Sequence, residues 1–132
     1  MKRKFMLCNI CGNLIEMIND SGVTPVCCDE DMHEIIPMNE EERGEKHIPV
    51  VKQDGLNVKV EIGEIKHPME SFHHIKWIYI ETNKRMIRFD LDITNDPECE
   101  FKLNENEIIK NVYSYCNIHS LWVKRLNSVD NN

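Results

Sequence analysis

The chain lacks any apolar run approaching the roughly 18 residues that a membrane span needs, which argues against a transmembrane helix. Its first residues do not read as an export signal either. Met1-Lys2-Arg3-Lys4-Phe5-Met6-Leu7-Cys8 is basic, but Asn9 and Gly12 follow without a long apolar stretch, so the expected compartment is the cytoplasm, with no membrane partner. It lacks a basic excess: 16 Lys and Arg stand against 23 Asp and Glu, a formal charge of −7. Phosphate binding needs a basic face, so nucleic acid is not expected as a partner. No repeat and no low-complexity segment is present. What remains is a globular composition, 41% apolar and 30% charged over 132 residues, enough for one ordinary domain or one small and one medium domain.

What the chain does have is six cysteines and six histidines. Without an export signal, cysteines read as metal ligands before disulfides. Cys8, Cys11, Cys27 and Cys28 fall in the first segment, which is too short to bury a useful core. A unit below about 40 residues needs metal, disulfides or a partner to fold. Asn39-Glu40-Glu41-Glu42-Arg43-Gly44-Glu45 then reads as a solvated connection. The expected division is a first domain over 1–37 and a second over 38–132.

From Ile48 onward the pattern is β. Leu56, Val58, Val60 and Ile62 alternate with Asn57, Lys59 and Glu61, the period of a half-buried strand. Asp54-Gly55 between this run and Ile48-Pro49-Val50-Val51-Lys52 predicts a tight hairpin. Further strands are expected over 75–82, 87–93, 99–103, 109–115 and 121–126, with Ile87, Phe89, Leu91 and Ile93 sharing one face. About seven short strands in so few residues predict an antiparallel sandwich.

Cys8-Asn9-Ile10-Cys11-Gly12 is a metal knuckle. Two intervening residues let one turn aim both sulfurs at one ion, and Gly12 permits close backbone approach. Cys27-Cys28 could complete a four-thiolate set, although adjacent side chains of an extended chain point to opposite faces and the backbone must bend there. Tetrahedral four-sulfur geometry suits iron or zinc, and spacing does not choose between them. A vicinal disulfide or two buried thiols is the alternative, and it leaves the first segment with nothing to hold it. The second group is His47, His67, His73, His74 and Cys116-Asn117-Ile118-His119. A thiolate and an imidazole two residues apart can chelate one ion, and the histidines fall at strand ends, where a sandwich gathers its loops. Cys99 alternates with Glu98 and Glu100 on the side of Phe101 and Leu103 and reads as a buried thiol; His33 reads as a surface residue.

Taken in order, the knuckle with Cys27-Cys28, then Glu45-Lys46-His47-Ile48-Pro49, His67-Pro68-Met69-Glu70 with His73, and Cys116-Asn117-Ile118-His119-Ser120-Leu121-Trp122 resemble the desulfoferrodoxins, the two-iron superoxide reductases. The resemblance covers about residues 5 to 122. It implies a mostly β chain: a small desulforedoxin-like domain followed by an immunoglobulin-like antiparallel sandwich, as a homodimer. It implies a first iron held by Cys8, Cys11, Cys27 and Cys28, and a second held by His47, His67, His73 and His119 with Cys116 as axial thiolate. Lys46 and Glu45 would stand beside the open position, Lys46 attracting the anion and Glu45 able to ligate the ferric ion. The activity implied is one-electron reduction of superoxide to hydrogen peroxide, with a rubredoxin-like donor. The alternatives are a non-enzymatic iron electron carrier and a zinc-ribbon interaction module. Backbone N–H groups of Asn117 to His119 are expected to donate to the thiolate. Two departures from the family pattern stand out: Ser120 where Gly is usual, and His74 beside His73, whose selection rests on spacing.

Overall fold

A computed structural model describes residues 3–39 and 46–126; most of the acidic connection, Glu45 included, lies outside the described residues. Twelve strands and no helix occur among them, and no helix is long and apolar enough to cross a membrane. The chain divides into two compact units, Met1–Ile36 and Pro37–Asn132.

In the first unit β1 (Phe5–Leu7) lies between β2 (Leu14–Glu16) and β5 (His33–Ile35), both antiparallel to it. A separate hairpin joins β3 (Val26–Cys27) to β4 (Glu30–Asp31). The unit's apolar cluster is small: Met6, Cys8 and Met32 are buried, with Met17 and Cys27 against them. Phe5 is buried as well, and at about 1.5–3 kcal/mol per buried side chain four such residues do not offset the ordering of more than thirty. His33 is exposed on β5.

The second unit is a sandwich of two antiparallel sheets. One has the order β10-β7-β6, from β10 (Glu98–Lys102), β7 (Asn57–Ile62) and β6 (Pro49–Asp54). The other has the order β12-β11-β8-β9, from β12 (Ser120–Arg125), β11 (Ile109–Cys116), β8 (Ile75–Thr82) and β9 (Met86–Asp90). The alternation dictates the core: Val58, Val60 and Ile62 of β7 face Ile78 and Ile80 of β8 and Val112 of β11 in one buried cluster. Cys99 is buried in the same cluster, opposite Val60, and burial pushes its thiol up to about 12.

Two details differ from the sequence expectation. Asp54 pairs with Asn57, so the β6–β7 turn is Gly55-Leu56, one residue later than Asp54-Gly55, and Gly55 supplies the positive φ. On β9, Ile87 and Phe89 pack on the core, but the strand ends at Asp90; Leu91 still packs, while Ile93 is 42% exposed. The cause is local: Asp92 and Asn95 form a turn in which Thr94 N–H donates to Asp92 and Asp92 N–H donates to Asn95.

Candidate metal centres

The first cluster is built on two turns. After β1, the Gly12 N–H donates to the Cys8 carbonyl (2.9 Å) and the Cys8 N–H to Asn13 (2.9 Å), which folds Cys8 and Cys11 into a knuckle; Gly12 has φ +84°. The β3–β4 hairpin has Cys28-Asp29 as its two central residues, at φ 54° and 61°. Positive φ at both positions is the tight-turn geometry that matches strand twist. It also removes the difficulty of adjacent cysteines: Cys27 ends a strand while Cys28 begins a left-handed turn, so the two need not point apart. All four sulfurs lie within 4.8 Å of one another, and all six cysteines of the chain are free thiols.

The surroundings suit thiolates. The Cys11 N–H donates to Cys8 Sγ (3.5 Å) and Asn13 Nδ2 to Cys27 Sγ (3.5 Å). Backbone N–H donors from Cys11 and Ile10 bring Cys8 down to about 6. Contact with Cys11 and Cys8 raises Cys27, and pushes Cys28 up to about 12. Four thiols in one place cannot all ionise without a cation among them, and a metal resolves that conflict.

The second cluster gathers at one end of the sandwich because the strands are antiparallel. His47 precedes β6, His67 and His73 lie between β7 and β8, and Cys116 and His119 flank the β11–β12 turn; all these chain positions fall at the same end. Ligand atoms of His47, His67, His73 and Cys116 lie within 4.8 Å of one another. His119 completes the ring: its Nδ1 is 3.1 Å from His47 Nε2 and 3.8 Å from Cys116 Sγ. Successive rings meet edge to face at 4.7–5.0 Å between centroids.

His67 is 1% exposed and donates from Nδ1 to the Pro68 carbonyl (2.7 Å), which leaves Nε2 as the lone-pair nitrogen. Burial holds it down at about 4, so its imidazole is neutral at neutral pH. Burial also lowers His73, and the neighbouring imidazoles and Lys46 add to the effect. Nε2 of His67 and Nε2 of His73 are both buried with no hydrogen-bond partner. An orphaned buried polar atom costs about 1–3 kcal/mol, and two in one pocket beside a buried thiol mark a place for a metal. Each of the two ligand sets fits an iron.

His74 is turned away. It donates from Nδ1 to the Glu70 carbonyl (2.9 Å), whereas His73, equally half-buried, is the one whose ring nitrogen lies with His47, His67 and Cys116. Lys46 is exposed next to His47, and its peptide lies against Gly63: a Cβ on Gly63 would meet Lys46 O and Ile65 O at 2.5 Å. The Asn117 N–H does not serve the thiolate; it donates to the His74 carbonyl (3.2 Å). Ser120 stands at φ 70°, a conformation that favours glycine, which explains why glycine is usual there. Two residues outside both ligand sets, Trp122 and Ser114, support His47. Trp122 stacks on His47 (4.7 Å, 14°) and donates to the His119 carbonyl (3.0 Å), and buried Ser114 donates to the His47 carbonyl (2.8 Å). The signal for Ser114 was its place two residues before Cys116, on the same face of β11.

The family model for desulfoferrodoxin matches residues 39–125, and that for the desulfoferrodoxin N-terminal domain matches 3–35. The chain belongs to the desulfoferrodoxin family. Among desulfoferrodoxin relatives, the desulfoferrodoxin homologue of Methanothermobacter thermautotrophicus is 39% identical over 115 residues, 87% of this chain and 92% of that one. The superoxide reductase of Pyrococcus horikoshii is 37% identical over 98 residues, 61% of this chain and 84% of its own. The crystal structure of the superoxide reductase from Treponema pallidum superposes with a TM-score of 0.76 at 28% identity, covering 94% of this chain and 98% of that one.

Proposed function

We propose that this desulfoferrodoxin is a superoxide reductase working at the imidazole–thiolate cluster. The observation that carries the reading is that cluster itself: four imidazoles and one buried thiol at one end of the sandwich, with lone-pair nitrogens left unpartnered. The reaction consumes one superoxide, one electron and two protons and yields one hydrogen peroxide. Iron held there supplies a one-electron couple and affinity for a small oxygen anion. The chain's own residues do the rest. His47, His67, His73 and His119 would hold the iron through their ring nitrogens, and the low value of His67 keeps protons from competing for its nitrogen. Cys116, fully buried, contributes a thiolate that raises electron density on the metal. Lys46, exposed at the mouth of a chain of formal charge −7, draws in the anion. Glu45 remains a candidate ligand of the ferric state. Protons arrive from water on the exposed side, where His119 and Lys46 lie.

The electron comes from an external one-electron donor of rubredoxin type, and Cys8, Cys11, Cys27 and Cys28 hold a first iron that folds the first unit. A homodimer in the cytoplasm is the expected form; Ile10, Ile18, Val23 and Val26, each more than half exposed in the single chain, support a covered surface on the first unit. The test is stoichiometry by stopped flow on the reduced, iron-loaded protein. Reduction yields one peroxide per superoxide consumed, whereas dismutation yields one per two. Cys116→Ser should remove the sulfur-to-iron band of the second site and cost more than the roughly 10–100-fold that outer partners of a metal cost. Retained activity in that variant refutes the reading.

A further inference from the structure

The two loops that carry His73 and Cys116 are joined by one side chain. Asn117, the residue after Cys116, makes three hydrogen bonds to the two residues that flank His73. Its Nδ2 donates to the Phe72 carbonyl (3.1 Å), its Oδ1 accepts the His74 N–H (2.9 Å), and its own N–H donates to the His74 carbonyl (3.2 Å). The main chain of His73 is occupied separately: its N–H donates to the Glu70 carbonyl (3.0 Å) and its carbonyl accepts the Glu70 N–H (2.9 Å). Phe72 to His74 are therefore held on one side by Glu70 and on the other by Asn117. Asn117 is bonded covalently to Cys116, so a shift of the His73 main chain relative to the thiol must strain or break these bonds.

The same construction occurs at the opposite end of the same strand pair. Asn83, the residue after β8, donates from Nδ2 to the Asn106 carbonyl (3.1 Å), accepts the Ile108 N–H at Oδ1 (2.8 Å) and donates its N–H to the Ile108 carbonyl (3.0 Å). It brackets Glu107 as Asn117 brackets His73. The far end carries no metal-ligand group among the described residues, so Asn83 separates what this bond pattern does for a loop from what it does for a ligand.

We propose that Asn117 is a positioning residue for the second metal: by bracketing His73 it sets the placement of that imidazole relative to the Cys116 thiolate. The inference rests on the reading of this cluster as the reaction's metal site. It acts through His73 and Cys116 and touches neither metal nor substrate. A truncated side chain frees the Phe72 and His74 peptides, and His73 then samples positions that ligate less well.

The test compares Asn117→Ala with Asn83→Ala in the full chain, metal-free for the first readout and iron-loaded for the second. One readout is the affinity of the second site for Co2+ by chelator competition, with the four-cysteine site as internal reference. The other is the visible band of the ferric second site. Asn117→Ala should lose about 10–100-fold in affinity and shift the band, the size usual for outer partners of a metal. Asn83→Ala should keep the wild-type values of both. Two variants that behave alike on both readouts overturn the proposal. If Asn117→Ala does not fold, Asn117→Ser, which cannot span both peptides, carries the same test, and wild-type affinity and band in it overturn the proposal equally. Superoxide consumption by the wild type is measured beside them: its absence, with second-site affinity still falling in Asn117→Ala, defeats the functional reading and leaves the positioning role standing.

Discussion

At both ends of the β8–β11 pair an asparagine brackets an ionisable residue, yet the two residues are finished in opposite ways. Glu107 has a fully buried side chain with four donors: Arg85 Nε (2.7 Å) and Nη2 (3.0 Å), Thr82 Oγ1 (2.6 Å) and the Asn104 N–H (2.8 Å). Those partners, Arg85 first, hold its carboxyl down at about 2. His73 lies in the same position at the other end and keeps a buried nitrogen with no partner. A sandwich end can be closed with satisfied polar groups, as the far end is. Where the chain leaves them open, it keeps binding capacity at a cost in stability.

Acid should separate the two ends most strongly. His67 is held at about 4 against an ordinary 6.5, so the unfolded chain takes up a proton that the fold refuses, and folding is penalised as pH falls from 6.5 towards 4. The whole shift corresponds to about 3 kcal/mol. Glu107 works in a lower window: its stabilisation is complete above its ordinary 4.5 and is lost as pH falls towards 2. Urea midpoints of metal-free protein, followed by fluorescence of Trp77 and Trp122, should therefore fall before pH 4.5 is reached. A flat response between pH 6.5 and 4.5 would break the contrast.

Glu107→Gln should come next, at about 2–3 kcal/mol, because it removes the charge from hydrogen bonds to a buried group. It should leave the visible band of the second site unchanged; a shifted band would mean that the ends are not independent. Gly63→Ala acts at the metal end. Its φ of +85° and the 2.5 Å approach of Lys46 O leave no room for a Cβ, so a loss of about 1–3 kcal/mol is expected. By displacing the Lys46 peptide it should also slow superoxide capture and flatten its salt dependence, read by stopped flow across a salt series. The smallest effect is a gain. Ser120→Gly relieves φ 70° at the start of β12 and should raise the urea midpoint by about 0.5–1 kcal/mol, after the entropy that glycine costs. A loss of stability there would show that the Ser120 side chain makes a compensating contact.

Much of this was legible in the residues themselves. Period-two alternation placed Val58, Val60 and Ile62 in the core, because a strand's side chains must choose faces. The knuckle spacing of Cys8 and Cys11 pointed to a shared ion before a disulfide, and the shortness of the first segment called for something other than a core to hold it. The order of the histidines and Cys116 was sufficient to bring in the family. Turn chemistry was less legible. Cys28-Asp29 contains no glycine, and only the pairing of Cys27 with Glu30 forces both residues to positive φ.

The tertiary structure alone decided the rest. His73 and His74 are neighbours of the same chemistry; which one enters the cluster depends on Glu70, which takes the side chain of His74 and the main chain of His73. Trp122 against His47, Ser114 beneath it and Asn117 across to Phe72 and His74 join residues 43 to 75 positions apart in the chain. Local sequence determines which backbone conformations and which ligand atoms are available. It does not determine which lone pairs are left without a donor. That follows only when antiparallel strands bring distant loops to one end and every other polar group there has found its partner.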